Sequence, residues 1–388
     1  MKTNAIPRHV DVLIVGGGPV GGALALLLAK SGVDCLLVEA RRARPKDARA
    51  LAVSWSSRHT LDGLGAWSRR ATAINEVHVS QQGGFGRVRL RRSDLGLPAL
   101  GYVTGYSDLA AAIDRELESS AAVCLFGAKV SSLRMLDRYG VAEIETEQER
   151  ELVTARLVVL AEGGRLAEEV GLIANSHDYG QCAVVCELTT DRPHDHVAYE
   201  RFAHDGPLAL LPNGNGFSLV WTRPLALAED TLNLSEAALL AALQARMGDR
   251  VGCFVSAGPR SVFPLKHRWL RETVGRRLAV IGNAAQTLHP VAGQGFNLGL
   301  RDALALAQIL AQGGDPGSPE VLRRYANARK GDSTATSLFT DGLVRLFSRP
   351  DSLFGQASAV GMTLLDNLPL ARKGFAARMV FGSRVVPR

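Results

Sequence analysis

Three glycines open the case for chemistry. Gly16, Gly18 and Gly21 spell G-x-G-x-x-G directly after one apolar run, Asp11 to Val15, and directly before another, Val20 to Lys30. A loop of that kind between a strand and a helix brings backbone amides close to a pyrophosphate at the helix amino terminus. Ala25, Leu28 and Gly32 extend the pattern as positions for close packing of helix on sheet. Glu39 follows a second apolar run, Asp34 to Val38, where a carboxylate can accept hydrogen bonds from ribose hydroxyls. The plainer reading is a tight turn and a solvated strand end. Three features coinciding at the right spacing favour a dinucleotide. They do not separate FAD from NAD, since both present adenosine and pyrophosphate to the same loop.

A second glycine-rich stretch holds Gly282, Asn283, Ala284, Ala285, His289, Pro290, Gly293, Gln294, Gly295, Phe296 and Asn297. Backbone without side chains can pass close to a bound group and offer amides to it. His289 is the one titratable group here suited to taking a proton near neutral pH. Its place beside a proline favours a loop-shaping role, and no acid or base is assigned. No Ser-His-Asp arrangement and no His/Cys metal cluster stands out elsewhere.

The elements that must position these residues follow from periodicity. Asp11–Val15, Val20–Lys30 and Asp34–Val38 form a β-α-β unit, and Ser107–Ser119 reads as a helix with Asp108 near its amino end. An apolar strand, Arg156–Ala161, ends in Glu162, Gly163 and Gly164. Short alternating runs come next: Ala183–Leu188, Val197–Phe202, Leu208–Leu211 and Phe217–Trp221. Gly, Pro and Asn turns separate them, which points to an antiparallel sheet. Arg277–Ile281 returns to the buried-strand pattern, so the first lobe is discontinuous. A long loop, Gly282–Gly299, then leads to a helix over Leu300–Ala311. The tail from Phe375 mixes Arg378, Arg384 and Arg388 with Met379, Val380 and Phe381, and reads as a packed helix ahead of an amphipathic docking element.

Composition narrows the class. The chain has 388 residues, 46% hydrophobic and 21% charged, enough apolar material for two lobes and too much for disorder. Its net charge of +7 is scattered apart from short clusters such as Arg41, Arg42 and Arg44, and no nucleic-acid motif accompanies it. Nucleic acid is therefore not an expected partner. Five cysteines, Cys35, Cys124, Cys182, Cys186 and Cys253, lack metal spacing and cannot all pair, so they read as reduced thiols. Cys182 and Cys186 fit packing better than redox work. Ala23–Ala29 follows the glycine cluster and lacks a small-residue cleavage site, which makes it a buried helix and not a signal peptide. The expected compartment is the cytoplasm, with peripheral membrane association as the variant.

The run GNAAQTLHPVAGQGFNLGLRDA, over residues 282–303, resembles the flavin loop of the group A flavoprotein aromatic hydroxylases and, within them, the ubiquinone-biosynthesis hydroxylases. DARALAVSWSS (47–57), AYERF (198–202) and GPLALLP (206–212) follow in family order, so the likeness covers nearly the whole chain. It implies an α/β fold of the para-hydroxybenzoate hydroxylase type. A Rossmann-like FAD-binding domain would take residues 1–75, 100–170 and 272–345, a β-sheet substrate domain 76–99 and 171–271, and a helical segment 346–388. It implies that Asn283 contacts the flavin's ribityl or phosphate region, that Pro290 to Asn297 line the isoalloxazine ring, and that Arg49 faces the cofactor. The implied activity is hydroxylation of a polyprenylated phenol of the 2-polyprenyl-6-methoxyphenol type, with FAD bound, NADH or NADPH as transient reductant, and O2 consumed. A membrane surface or a multi-enzyme ubiquinone-biosynthesis complex would be its surroundings. Competing readings are an FAD-dependent isoprenoid reductase or dehydrogenase, and a non-catalytic flavin-fold subunit. The sequence departs from the family at three points. Asn283 stands where the broader group has Asp, Glu162 replaces a usual Asp, and Ser107 stands where relatives commonly carry Arg or His. These bear on nicotinamide handling and cofactor retention.

Overall fold

The computed structural model describes residues 6–43, 47–84, 86–203, 205–289, 293–347 and 353–382. Its first layer is a parallel sheet whose strands run in the order Val274–Gly275, Leu278–Val280, Arg150–Leu160, His9–Val15, Cys35–Glu39, Val123–Phe126. All pair in parallel except the short Val274–Gly275. Continuous apolar runs suit such strands because both faces are covered, and Val12, Leu13 and Ile14 are wholly buried. A hairpin, Lys129–Met135 and Gly140–Glu145, extends the sheet along the first half of Arg150–Leu160.

Helix Pro19–Lys30 starts with Pro at its first turn and ends on Lys30, both favourable at those ends. It packs with Tyr106–Ser119 and Gln294–Leu310 into one core through Leu24, Leu28, Ile113 and Leu306. Gly32 does not serve this packing. It sits exposed at φ +70 in the turn after the helix, with no atom within 4 Å of where a Cβ would be.

The second lobe is a nine-stranded sheet in which Ala174–Thr190 pairs antiparallel with Gly216–Pro224, Ser261–Leu270 and Phe254–Ala257. The alternating run expected over Ala183–Leu188 belongs to a 17-residue strand. A register shift between Asp178 and Gln181 breaks its alternation, which hides the first half from a period-2 reading. Val197–Phe202 pairs parallel with Glu76–Gln81, which pairs antiparallel with the edge strand Arg87–Arg91. Trp221 and Phe217 fill this lobe's core against Leu239, Leu243 and Met247 of helix Glu236–Met247. Each such side chain stabilises the lobe by about 1.5–3 kcal/mol.

A three-stranded sheet, Ala50–Ser54, Gly101–Gly105 and Thr72–Ile74, lies among the described elements in a region without clear periodicity. Helix Pro369–Phe381 buries Ala376, Ala377 and Val380, and its Ala376 and Val380 pack with Val88 and Leu90 of the sheet. The described part of the tail, to residue 382, is thus a packed element, while Arg384 and Arg388 lie outside the described residues. Cys182 and Cys186 are free and lie on one strand, about 13 Å apart along its length, too far to pair. No described helix is long and apolar enough to cross a membrane.

Candidate functional site

The three motif glycines differ in what they are for. Gly16 has φ +109, and a Cβ on it would lie 2.7 Å from the carbonyl of Ala161. A Cβ on Gly21 would lie 2.0 Å from the Gly16 oxygen. Those two are required by the chain's own packing. Gly18 has φ −66 and ψ 176, a conformation any residue adopts, and a Cβ there would meet only the Tyr106 hydroxyl at 3.8 Å. The protein itself gives no reason to exclude a side chain at Gly18. Helix Pro19–Lys30 begins there without a side-chain cap and without an acidic residue in its first turn. Its orphan amides and positive dipole end therefore suit an anionic group. These features fit a dinucleotide pyrophosphate.

Glu39 is buried at the end of its strand. Its Oε2 accepts the Gly17 N–H at 2.6 Å, and its Oε1 accepts from the backbone N and Nε of Arg41, both at 2.9 Å. Three bonds leave part of a carboxylate's acceptor capacity for ribose hydroxyls. The strand-end carboxylate and the glycine loop are thus one hydrogen-bonded unit.

Arg49 precedes strand Ala50–Ser54 and forms an ion pair with Asp47. Its guanidinium also stacks over Tyr106 at 5.3 Å and over Phe263 of the second sheet at 5.2 Å. Arg49 thereby bridges the two lobes beside the Tyr106 hydroxyl that borders Gly18. Ser107, at the family departure, donates to the Asp47 carbonyl at 3.2 Å and helps fix this same segment.

The second glycine stretch is less loop-like than expected. Gly282–Ala284 forms a short 3-10 turn, Gly282 buried and Asn283 exposed. The following helix begins at Gln294, not Leu300, so Gln294, Gly295, Phe296 and Asn297 form its first turn. Gly293 at φ +59 precedes it as the cap residue, again without a side-chain cap bond. Glycine weakens helix propensity, but here Asn297 supplies tertiary bonds that outweigh it. Asn297 Oδ1 accepts the Ser54 N–H at 2.8 Å, and its Nδ2 donates to Ala52 O at 2.8 Å and Gly293 O at 2.9 Å. It acts as a partner for the free edge of strand Ala50–Ser54. A Cβ on Gly295 would have nothing within 4 Å, so this second uncapped helix end is also open. Phe296 is partly buried against the main core. Pro290 lies outside the described residues.

His289 is 2% exposed and makes an edge contact with Tyr179, ring centroids 5.2 Å apart. Burial pushes its pKa down to about 4. The imidazole is therefore neutral at physiological pH and a weak base.

Further residues hold these segments in place, and Arg268 and Arg329 among them carried no motif signal. Asp302 and Arg329 form a buried ion pair under Gly282, and Arg268 donates to Gly164 O at 2.9 Å and Ala284 O at 3.1 Å, joining two glycine segments. Glu162 accepts the N–H groups of Gly164 and Leu166, so its carboxylate caps the short helix Arg165–Glu169. A small apolar pocket opens at the Gln294 helix end, walled by Ser54, Leu90, Gln294, Asn297, Met379 and Val380. No group of three or more metal-ligating side chains occurs among the described residues.

Comparison with known proteins bears on this geometry. The FAD binding domain family matches residues 9–338. Ubiquinone hydroxylase UbiL of Rhodospirillum rubrum is 36% identical over 387 residues, covering 95% of this chain and 89% of that protein. The 3-demethoxyubiquinol 3-hydroxylase of Escherichia coli is 32% identical, covering 84% of this chain and 87% of that protein. The crystal structure of p-nitrophenol 4-monooxygenase PnpA from Pseudomonas putida aligns with a TM-score of 0.79, covering 98% of this chain and 100% of that one, at 19% identity, and speaks for the fold alone. The chain therefore belongs to the FAD-dependent aromatic hydroxylases, in the family that contains the ubiquinone hydroxylases.

Proposed function

We propose that this protein hydroxylates the ring of a polyprenylated phenol of the 2-polyprenyl-6-methoxyphenol type, using NADH or NADPH and O2. One juxtaposition supports the reading most. The open, uncapped helix end at Gly293 to Asn297 borders a pocket that Leu90, Met379 and Val380 also line. A flat cofactor ring against the helix end would place an apolar aromatic substrate beside that apolar lining.

Bound FAD would supply electron transfer and oxygen activation. The chain's own residues bind, orient and exclude water. In this proposal Gly16, Gly18 and Gly21 hold the pyrophosphate, Glu39 the ribose, and Gly282 and Asn283 the ribityl or phosphate region. His289, Pro290, Gly293, Gln294, Gly295, Phe296 and Asn297 border the flavin ring, and Arg49 faces the cofactor at the lobe junction, where the reductant would dock. Residues 1–75, 100–170 and 272–345 would make the FAD domain, 76–99 and 171–271 the substrate domain, and 346–388 the helical cover. Association with a membrane surface or a multi-enzyme complex is part of the same reading.

The test is product mass under isotopically labelled O2 in ordinary water, with purified FAD-loaded protein, reduced nicotinamide and a short-tailed prenylated methoxyphenol. One gas-derived oxygen per product is expected. Efficient conversion without that label would make the chain a dehydrogenase or reductase, and no conversion of any phenol offered would sink the substrate assignment.

A further inference from the structure

The strand pair Glu76–Gln81 and Arg87–Arg91 has two differently built faces. Val77, Val79, Val88 and Leu90 pack with the C-terminal helix on the side of the apolar pocket. The alternate positions look the other way. There His78, Arg87 and Arg89, with Arg201 of the neighbouring strand, Arg250 and Asp366, line a cavity of about 790 Å³.

Its charge is unbalanced. Arg89 has an ion-pair partner in Glu76, and Asp366 accepts the Arg89 backbone N–H at 2.9 Å. No carboxylate pairs with Arg87, Arg201 or Arg250 among the described residues. Arg201 gives one hydrogen bond to Ser80 Oγ at 3.2 Å, while its buried Nε has no partner. Burial, and after it the Arg250 charge, lower the Arg201 pKa from its ordinary value. His78 Nε2 is likewise buried without a partner, and burial with the charges of Arg89 and Arg250 pushes the ring down to about 4. Unpaired buried donors and clustered guanidinium groups cost free energy unless something outside the chain satisfies them. Planar guanidinium forks match phosphate oxygens.

We propose that this cavity binds a phosphate group, carried either by a soluble phosphate or by a phospholipid headgroup. It lies on the opposite face of the sheet from the flavin-side pocket and does not depend on the flavin assignment. The helix Leu353–Asn367 that supplies Asp366 also exposes Val360 and Leu364, with Leu368 and Leu370 just beyond. A headgroup in the cavity would have this apolar ridge beside its acyl chains, whereas a free phosphate needs the cavity alone.

The experiment uses full-length FAD-loaded protein in two arms. Calorimetric titration with inorganic phosphate and pyrophosphate tests soluble ligands, and cosedimentation with phosphatidylglycerol against phosphatidylcholine vesicles tests a headgroup. Saturable binding in either arm is expected. Arg201→Gln should weaken it about tenfold, the loss of one charge-assisted bond, while Arg138→Gln, removing the same charge from an exposed turn, should change it less than about twofold. Should Arg201→Gln fold poorly, the exposed Arg250→Gln carries the same expectation. Absence of binding to every probe, or binding equal in wild type and both cavity variants, overturns the proposal.

Discussion

The carboxylate of Asp302 accepts the backbone N–H of Gly282 at 3.1 Å while its other oxygen takes Arg329 Nε at 2.7 Å. Arg329 also pairs with Asp332 at 2.8 Å, and Arg301 with Asp332 at 2.7 Å. Asp302, Arg329 and Asp332 are at most 5% exposed. The turn that the ribityl chain would touch thus hangs from a buried ionic network reaching into helix Pro319–Phe347.

Removing one member of that network leaves an uncompensated buried charge. Asp302→Ala is expected to destabilise the protein by about 3–5 kcal/mol in denaturant unfolding. It should also weaken FAD binding in whatever folded fraction remains, since Gly282 loses its anchor. Near-wild-type stability would show that Arg329 finds another partner.

The glycine loop separates packing from binding. Gly16→Ala should lower the melting temperature of the FAD-free protein, because backbone atoms stand 2.7 Å from the new Cβ. Gly18→Val should leave that temperature nearly unchanged and weaken FAD affinity by at least about tenfold, since its branched carbons occupy the pyrophosphate approach. A folded Gly18→Val protein with undiminished affinity would remove the pyrophosphate from this loop.

The contrast also marks how far the sequence reads. G-x-G-x-x-G and Glu39 are local, each within one strand-loop-helix unit, and their spacing alone brings them together, as the Gly17 to Glu39 bond records. The second glycine-rich stretch is legible as composition but not as conformation. Glycines at 293 and 295 mask a helix start whose first turn is fixed by Asn297 bonds to Ser54 and Ala52, some 240 residues earlier. Arg268 and Arg329 lay beyond reach for the same reason. A buried arginine that ties distant segments looks, in sequence, like any surface arginine, and only the fold supplies its partners.

Glu39 should act through binding. Glu39→Ala removes the acceptor of the Gly17 and Arg41 bonds together with the proposed ribose contact, so FAD affinity should fall by about tenfold or more. Turnover measured at saturating FAD should stay within about threefold of wild type. Unchanged affinity with lost turnover would place Glu39 in the chemistry.

His289 ties the site to pH. Burial pushes its pKa down to about 4, while in the unfolded chain an imidazole titrates near about 6.5. Between those values the unfolded chain binds more protons than the native one. Stability from this group is therefore complete above pH of about 6.5 and is lost as the pH falls towards about 4, to a total of about 3 kcal/mol at most. His78, pushed to about 4 by burial and by Arg89 and Arg250, adds a loss of the same sign. Wild type should consequently lose stability on acidification more steeply than His289→Gln, with His78→Gln flattening the curve by a comparable amount. His289→Gln also separates two proposed roles of this side chain. A base with a pKa of about 4 accepts protons inefficiently at neutral pH, so His289→Gln should leave the shape of the kcat/KM profile unchanged between pH of about 6 and 8 even where its height falls. Loss in that variant of a limb that wild type shows near pH 6 to 7, about the ordinary histidine range, would make His289 the proton acceptor and overturn the loop-shaping role.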